Sequence, residues 1–282
     1  MIPDRPAGKL WVVATPIGNL DDLSTRARDV LRNVDLIAAE DTRHSAGLLK
    51  HIGSNVRTFA LHDHNERDAA DELVRRLRDG AQIALISDAG TPLVSDPGFR
   101  VVRAAREAGV AVSPIPGACA AIAALSVAGL PSDRFVFEGF LPAKSAARRA
   151  HLQTLQTETR TLIFYESSHR IVETLADLVA TFGGDRRAAL ARELTKLFET
   201  VLDGTLADLV QRVSADADQQ RGEFVLLVAG ADADAAAAQL IEGRRVFELL
   251  RRELPPSRAA KLAAEITGAS RKILYDAAKE GE

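Results

Sequence analysis

The chain has 282 residues, 46% apolar and 27% charged, with a net charge of −3; that balance buries a full core and predicts a globular protein of about two domains. No apolar run approaches the ~18 to 20 residues of a membrane span, and the opening MIPDRPAGKLW has neither a signal-peptide apolar region nor a basic amphipathic transit pattern, so a cytoplasmic location is expected. Cys119 is the sole cysteine, which excludes an intramolecular disulfide and a multi-thiolate zinc site.

Strand-like and helix-like segments alternate from the start. Lys9 to Ala14 reads as a strand, Ser24 to Asn33 as a helix capped by Ser24, and Asp35 to Ala39 as the next strand. Ala69, Leu73 and Leu77, with Ala70 and Val74 beside them, line one face of a helix from Glu66 to Arg78. Gly80 then turns the chain into Gln82 to Ile86 (QIALI), a short apolar run that predicts a buried parallel strand. Val110 to Ile115 is another strand, and Pro116-Gly117 opens an alanine-rich helix from Ala118 to Ala128. Such alternation implies a largely parallel sheet with helices on both faces.

The stretch Ile86 to Gly98, ISDAGTPLVSDPG, follows QIALI directly and so lies at the carboxyl end of a strand, where open α/β sheets bind ligands. Asp88 can accept hydrogen bonds from a ribose or amino group, Gly90 lets the backbone approach, and Pro92 and Pro97 fix φ. A preset loop has little entropy left to lose on binding.

A second series of strands begins near Leu130, at Phe135 to Phe137, Thr161 to Tyr165, Ala188 to Ala191 and Phe224 to Ala229. Ile171, Leu175, Leu178 and Phe182 recur between them at helical spacing. The pattern predicts two α/β domains, 8–120 and 121–230, with a hinge in Ala118 to Pro131. Ala231 to Gln239 is alanine-rich and reads equally as a helix or a linker.

The last forty or so residues, 242–282, predict a separate helical unit. Arg245 to Leu254 is amphipathic, Pro255-Pro256 stops it, Ser257 caps a helix to about Ile266, and Ser270 caps a last one after the Thr267-Gly268-Ala269 turn. Ala264, Gly268 and Leu274 fit a helix-turn-helix. From Arg244 to Lys279 nine Lys/Arg face four Asp/Glu, a local +5 that leaves the rest of the chain at −8. Arg258, Lys261, Arg271 and Lys272 make this unit a candidate phosphate-contacting surface.

Six ordered segments, LWVVATPIGNLDDLSTRARDVLRNVDLIAAEDTRHS, ALISDAGTPLVSDPG, SPIPGACAAIAAL, GLPSDRFVFEGFLPAK, TLIFYESSHR and ARELTKLFET, together resemble the tetrapyrrole methylase superfamily. Thr15-Pro16-Ile17-Gly18-Asn19 stands where many members have a GxGPG-type turn, and with the basic tail it resembles the ribosomal RNA branch. That resemblance implies two α/β domains with S-adenosylmethionine folded in the cleft between them, and 2′-O-methylation of a decoding-site cytidine in 16S rRNA of the small ribosomal subunit. It also implies a homodimer. Carried over by position, Pro16, Asp88, Thr91, Pro92, Leu93, Val94, Gly117, Ala118, Cys119 and Ile122 line the cofactor. Tyr165, Glu166, Ala191, Gly222, Glu223 and Phe224 contribute from the second domain. Amides at Ala118, expected to start a helix, suit a carboxylate, and Cys119 reads as a small packed thiol.

A sulfonium is already a good leaving group, so alignment of the 2′-oxygen and removal of its proton are what the protein must add. Candidates are Glu40, Asp41 and Arg43 in AEDTR and Glu193 and Lys196 in RELTK; a desolvated Lys196 could serve as base or, as a cation, stabilise the developing alkoxide. His62-Asp63-His64-Asn65 reads as a hydrogen-bonded loop or as lining for the substrate mouth, because histidines at i, i+2 point to opposite faces and no second ligand cluster accompanies them. Lys144, Arg148, Arg149 and His151, on a helix opened by LPAKS, are candidate phosphate contacts or a solvent-facing surface. Two other functions share these features: a tetrapyrrole C-methyltransferase, which has little use for a basic tail, and a non-enzymatic regulator that binds DNA through the helix-turn-helix.

Overall fold

The computed structural model describes residues 8–62 and 66–279, with the backbone alone at 233–236 and 277–279. Two compact units emerge: the described residues through Ala123 together with Leu194–Phe198, and Ala124–Glu193 together with the chain from Glu199 onward.

The first unit holds five strands, β1 (Lys9–Val13), β2 (Leu36–Ala39), β3 (Thr58–Ala60), β4 (Gln82–Ile86) and β5 (Ala111–Ile115), in the order β3-β2-β4-β1-β5. All four pairings are parallel. Strand β2 (LIAA) is buried at every position and β4 at its last four, the continuous apolar reading of a strand covered on both faces. Alternation divides the load. Ile83 and Leu85 pack with Leu73 and Leu77 of α3 (Glu66–Arg78) and with Val101 and Ala105 of α4 (Phe99–Glu107). Ala84 and Ile86 face Ala27 and Leu31 of α1 (Thr25–Asn33) and Leu49 of α2 (Thr42–His51). Ser24 caps α1, its side chain accepting from the Ala27 N–H at 3.1 Å.

The helix after β5, α5 (Ala120–Val127), starts two residues later than its alanine pattern suggests, so Ala118 and Cys119 precede it. The Ala123 N–H still closes onto the Cys119 carbonyl at 2.9 Å.

The second unit has a mixed sheet of β6 (Phe135–Phe140), β7 (Thr161–Ser167), β8 (Arg187–Arg192), β9 (Thr200–Thr205) and β10 (Glu223–Val228), ordered β6-β7-β10-β8-β9. Only β6 and β7 run parallel within it. Its core joins Leu162, Phe164, Leu190 and Leu226 to Ile171, Leu175 and Leu178 of α7 (Ile171–Phe182) and to Leu206 and Leu209 of α8 (Leu206–Ala215). Each such fully buried aliphatic side chain contributes about 1.5 to 3 kcal/mol. α6 (Ser145–Thr154) lies on α7 through Leu152 and a buried ion pair, Arg148 Nε to Asp177 Oδ2 at 2.7 Å.

Three further helices follow: α9 (Ala233–Leu250), α10 (Pro256–Thr267) and α11 (Arg271–Lys279). The stretch that reads as helix or linker is therefore helical from Ala233. Val246, Phe247, Ala259, Ala260, Ala263, Ala269 and Leu274 form their core. Gly268 ends α10 with φ at +74°, the left-handed geometry glycine adopts without strain. The α10 cap is Pro255 rather than Ser257, with Pro256 in the first turn, because proline presets the opening φ and donates no amide. Among the described residues, no helix is long and apolar enough to cross a membrane.

Candidate functional site

Because every strand of the first sheet is parallel, the loops after β1, β2, β4 and β5 leave the same edge. They are tied together there. Thr15 and Gly90 exchange backbone hydrogen bonds of 2.8 and 3.1 Å, and the Thr91 hydroxyl donates to the Ala118 carbonyl at 2.9 Å. Pro16, Asp88, Thr91 to Val94 and Gly117 to Cys119 thus occupy one rim. Ile122, in the first turn of α5, is half exposed. A Cβ at Gly90 (φ +82°) would sit 3.2 Å from Ile17 Cγ2, so a side chain there would crowd the first turn.

The loop after β4 is strained and clamped. Leu93 (φ +73°) and Ser95 (φ +69°) hold left-handed conformations that cost about 1 to 3 kcal/mol each. Its far end is fixed by Glu66, whose Oε1 accepts from the Gly98 and Arg100 amides, each at 2.9 Å. That carboxylate supplies the cap that glycine cannot give to α4.

Carboxylates gather on this rim. Asp88 Oδ1 accepts from the Asp41 N–H at 3.1 Å, and Glu40 Oε2 lies 3.4 Å from the Asp88 amide. Asp41 caps α2 and grips Arg43 through Oδ2 and Nη2 at 3.0 Å. The Arg43 hydrogen bond holds the Asp41 carboxyl down to about 2, which makes it a weak base. Arg43 is held more firmly cationic by the same contact. Asp96 goes the other way: burial pushes its carboxyl up to about 6, the charges of Glu40 and Asp88 add to this, and a Ser87 hydrogen bond opposes it. Asp96 is absent from the sequence-derived candidates, although it is the second aspartate of the same motif.

The segment Leu194–Phe198 belongs to the first unit. Thr195 Oγ1 accepts from the Asn19 N–H at 3.1 Å, and a Cβ at Gly18 would meet Lys196 Cγ at 2.5 Å, so the lysine stem lies against that glycine.

In the second unit, antiparallel pairing sets Val225 opposite both Tyr165 and Ala191, and Phe224 opposite Glu166. The Tyr165 ring meets Phe137 and Phe140 edge-on at 4.9 and 5.6 Å. Glu166 is buried, and its carboxylate accepts from Arg170 Nη2 at 2.6 Å and Thr174 Oγ1 at 2.7 Å, so its role at any ligand falls to its backbone. Glu193 (φ +51°) reaches back to the Glu223 amide at 2.9 Å. Gly222 (φ +101°) makes room for it, since a Cβ there would lie 2.5 Å from Glu193 Cγ. This fixes Glu193 as a brace for the Gly222 turn.

Of the basic candidates, Lys144, Arg149, Arg258, Lys261, Arg271 and Lys272 are exposed. Arg148 is not. It has no solvent exposure, its Nε is paired with Asp177, and its Nη1 lies 3.3 Å from the Ala143 carbonyl. Arg148 is therefore corrected from a phosphate contact to an internal brace, since a guanidinium in the core is not open to RNA. The Leu152 side chain, one turn later on the buried face of α6, is the signal that marks its direction. In the HDHN segment, Asp63, His64 and Asn65 lie outside the described residues; among those described, no three His, Cys, Asp or Glu converge as a metal site. Cys119 is a half-buried free thiol.

Comparison with known proteins supplies the family. The model of the tetrapyrrole (corrin/porphyrin) methylases matches residues 9–210, and that of the RsmI C-terminal HTH domain matches 231–281. A ribosomal RNA small subunit methyltransferase I from Xylella fastidiosa (strain Temecula1) is 62% identical over 268 residues, 95% of this chain and 98% of the relative. Its namesake from Pseudomonas aeruginosa is 58% identical over 273 residues, 96% and 97% of the two chains. Among solved structures, the methyltransferase CobJ (TM-score 0.59, 19% identity) covers 79% of this chain and 95% of its own. A uroporphyrin-III C-methyl transferase from Thermus thermophilus complexed with S-adenyl homocysteine (TM-score 0.54, 16% identity) covers 79% and 97%. These two share the fold. The chain belongs to the ribosomal RNA small subunit methyltransferase I family, a tetrapyrrole methylase body carrying that family's C-terminal helix-turn-helix domain.

Proposed function

We propose that this protein transfers a methyl group from S-adenosylmethionine to the 2′-hydroxyl of a decoding-site cytidine in 16S rRNA of the small ribosomal subunit. The observation that carries the reading is near full-length identity of 58 to 62% to small-subunit rRNA methyltransferases, joined to a rim of the right donor chemistry. The rim fits the cofactor: Asp88 is an acceptor for ribose hydroxyls or an amino group, Pro16 and Thr91 to Val94 offer apolar wall and backbone, and Gly117 to Cys119 offer backbone amides. From the second unit we assign backbone at Tyr165, Glu166, Ala191 and Gly222 to Phe224.

When bound, the cofactor supplies an electrophilic methyl on a sulfonium that leaves without protonation. The protein's share is alignment and proton removal. Glu40 and the Lys196 amine are the groups we assign to the proton, with Lys196 as a cation also able to stabilise oxygen charge. Asp41 positions Arg43, and Glu193 positions the Gly222 turn.

The exposed cations of α6 and the tail serve the RNA, whose phosphates dominate any approach to a folded ribosomal particle. We further propose a cytoplasmic homodimer, supported by large apolar side chains left exposed at Phe99 and Val127. Tritiated cofactor incubated with small ribosomal subunits tests the reaction. Label in one alkali-resistant cytidine linkage is expected; label in a precorrin and none in rRNA would reverse the reading.

A further inference from the structure

We propose that the groove between α6 and the corner formed by α10, the Gly268 turn and α11 is a seat for one strand of RNA backbone, holding consecutive phosphates. The proposal rests on the RNA reading above and adds a location, a second wall and a strandedness to it.

The groove has a volume of about 450 Å³. Gln153 and Gln156 stand on its α6 side, and Lys261, Arg271 and Lys272 on its tail side. One carboxylate joins them, Glu265, which lies 3.8 Å from Lys261 Nζ. The charged lining therefore sums to +2, and the opposing wall adds neutral amide donors with no acid. Phosphodiester oxygens are acceptors only, and they match such a wall without leaving a donor unpaired. Its apolar lining comes from small residues, Ala150, Ala264, Gly268 and Ala269, with no large hydrophobic side chain to grip a peptide anchor.

The α6 wall is rigid. Leu152 is buried in the sheet core, and the Arg148–Asp177 pair pins the helix to α7. Buried Arg148, useless as a phosphate contact itself, thus fixes the wall against which the phosphates lie. The tail side is equally set: Gly243 of α9 abuts the turn so closely that a Cβ there would lie 2.5 Å from Ala269 Cβ.

The same wall decides strandedness. A helix-turn-helix reads duplex DNA by sinking the N-terminal end of its second helix into a major groove about 12 Å wide. Here that end, Arg271 and Lys272, shares a groove with α6 instead. With α6 forming the opposite wall, we assign that end to a single backbone lying along the groove rather than to a duplex major groove closed around α11.

The test uses the full-length chain with two variants, Gln153→Glu on the wall and Lys261→Ala/Lys272→Ala on the tail. Affinity for small ribosomal subunits is measured across a salt series, cofactor affinity by calorimetry, and folding by thermal melting. Gln153→Glu is expected to weaken subunit binding about tenfold. The double variant is expected to lower the salt slope by about 1 to 2, the share of two phosphate contacts. KM for subunits rises, while kcat and cofactor affinity hold. Wild-type affinity and slope in both variants would overturn the seat, as would tighter binding of duplex DNA than of rRNA by the wild-type protein. Variants that bind poorly beside a wild-type protein that binds subunits but never methylates them would support the seat and sink the proposed reaction, so the two readings fail separately.

Discussion

Asp96 has its carboxyl pushed up to about 6 by burial next to Glu40 and Asp88. An acid whose folded pKa lies above its ordinary value of 3.8 is protonated in the folded chain and ionised in the unfolded one between about pH 4 and 6. Stability from this group is present below that window and is lost as pH rises through it. Asp96→Asn is therefore expected to raise the melting temperature at pH 7.5 and to give a gain that shrinks toward pH 4; equal gains at both pH values would contradict the assignment. Asp88→Ala is expected to weaken cofactor binding more than tenfold by calorimetry with the fold intact, since hydrogen bonds to a charged carboxylate contribute about 1.5 to 3 kcal/mol. Unchanged affinity would remove Asp88 from the site. At this scale the sequence is legible where a motif sets backbone and side chain together, as in ISDAGTPLVSDPG. It is less legible where a partner is needed: Leu152 one turn on marks the buried face of α6, but the group that Arg148 meets there, Asp177, is brought by α7 from a distant position.

Among elements, β4 and α3 have the bounds their periodicity predicts, because a buried strand and an amphipathic helix announce themselves by spacing. Strands β3 and β9 are silent in the sequence. Each is an edge strand, one three residues long and the other TVLDGT, and its conformation comes from pairing with β2 or β8 rather than from its own pattern. Helix α6 has a sharper consequence. Breaking its buried ion pair leaves a charge in the core, so Arg148→Ala is expected to destabilise the protein by about 3 to 5 kcal/mol in urea unfolding. A loss below 1 kcal/mol would show that α6 is held by Leu152 alone. Gly222→Ala should also destabilise, by about 1 to 3 kcal/mol, since φ at +101° and the Glu193 side chain both exclude a Cβ.

For the whole molecule, the rim motifs and the basic tail occupy separate stretches, and their labours are separable by truncation. Because α9 begins at Ala233, a cut after Gly230 removes the tail helices intact. The shortened chain is expected to keep cofactor affinity and lose most methylation of the ribosomal substrate, together with part of the salt dependence of binding. Full activity with an unchanged salt slope would make the tail a structural appendage. Sedimentation of the full chain is expected at about twice its 30.3 kDa mass, and monomers at micromolar concentration would defeat the homodimer. Mass mapping of 16S rRNA from cells with and without the gene tests the reaction itself: loss of one 2′-O-methyl group from a decoding-site cytidine, restored by adding purified protein and S-adenosylmethionine to the deficient subunits, is the expected result. Identical rRNA modification in both strains would contradict it.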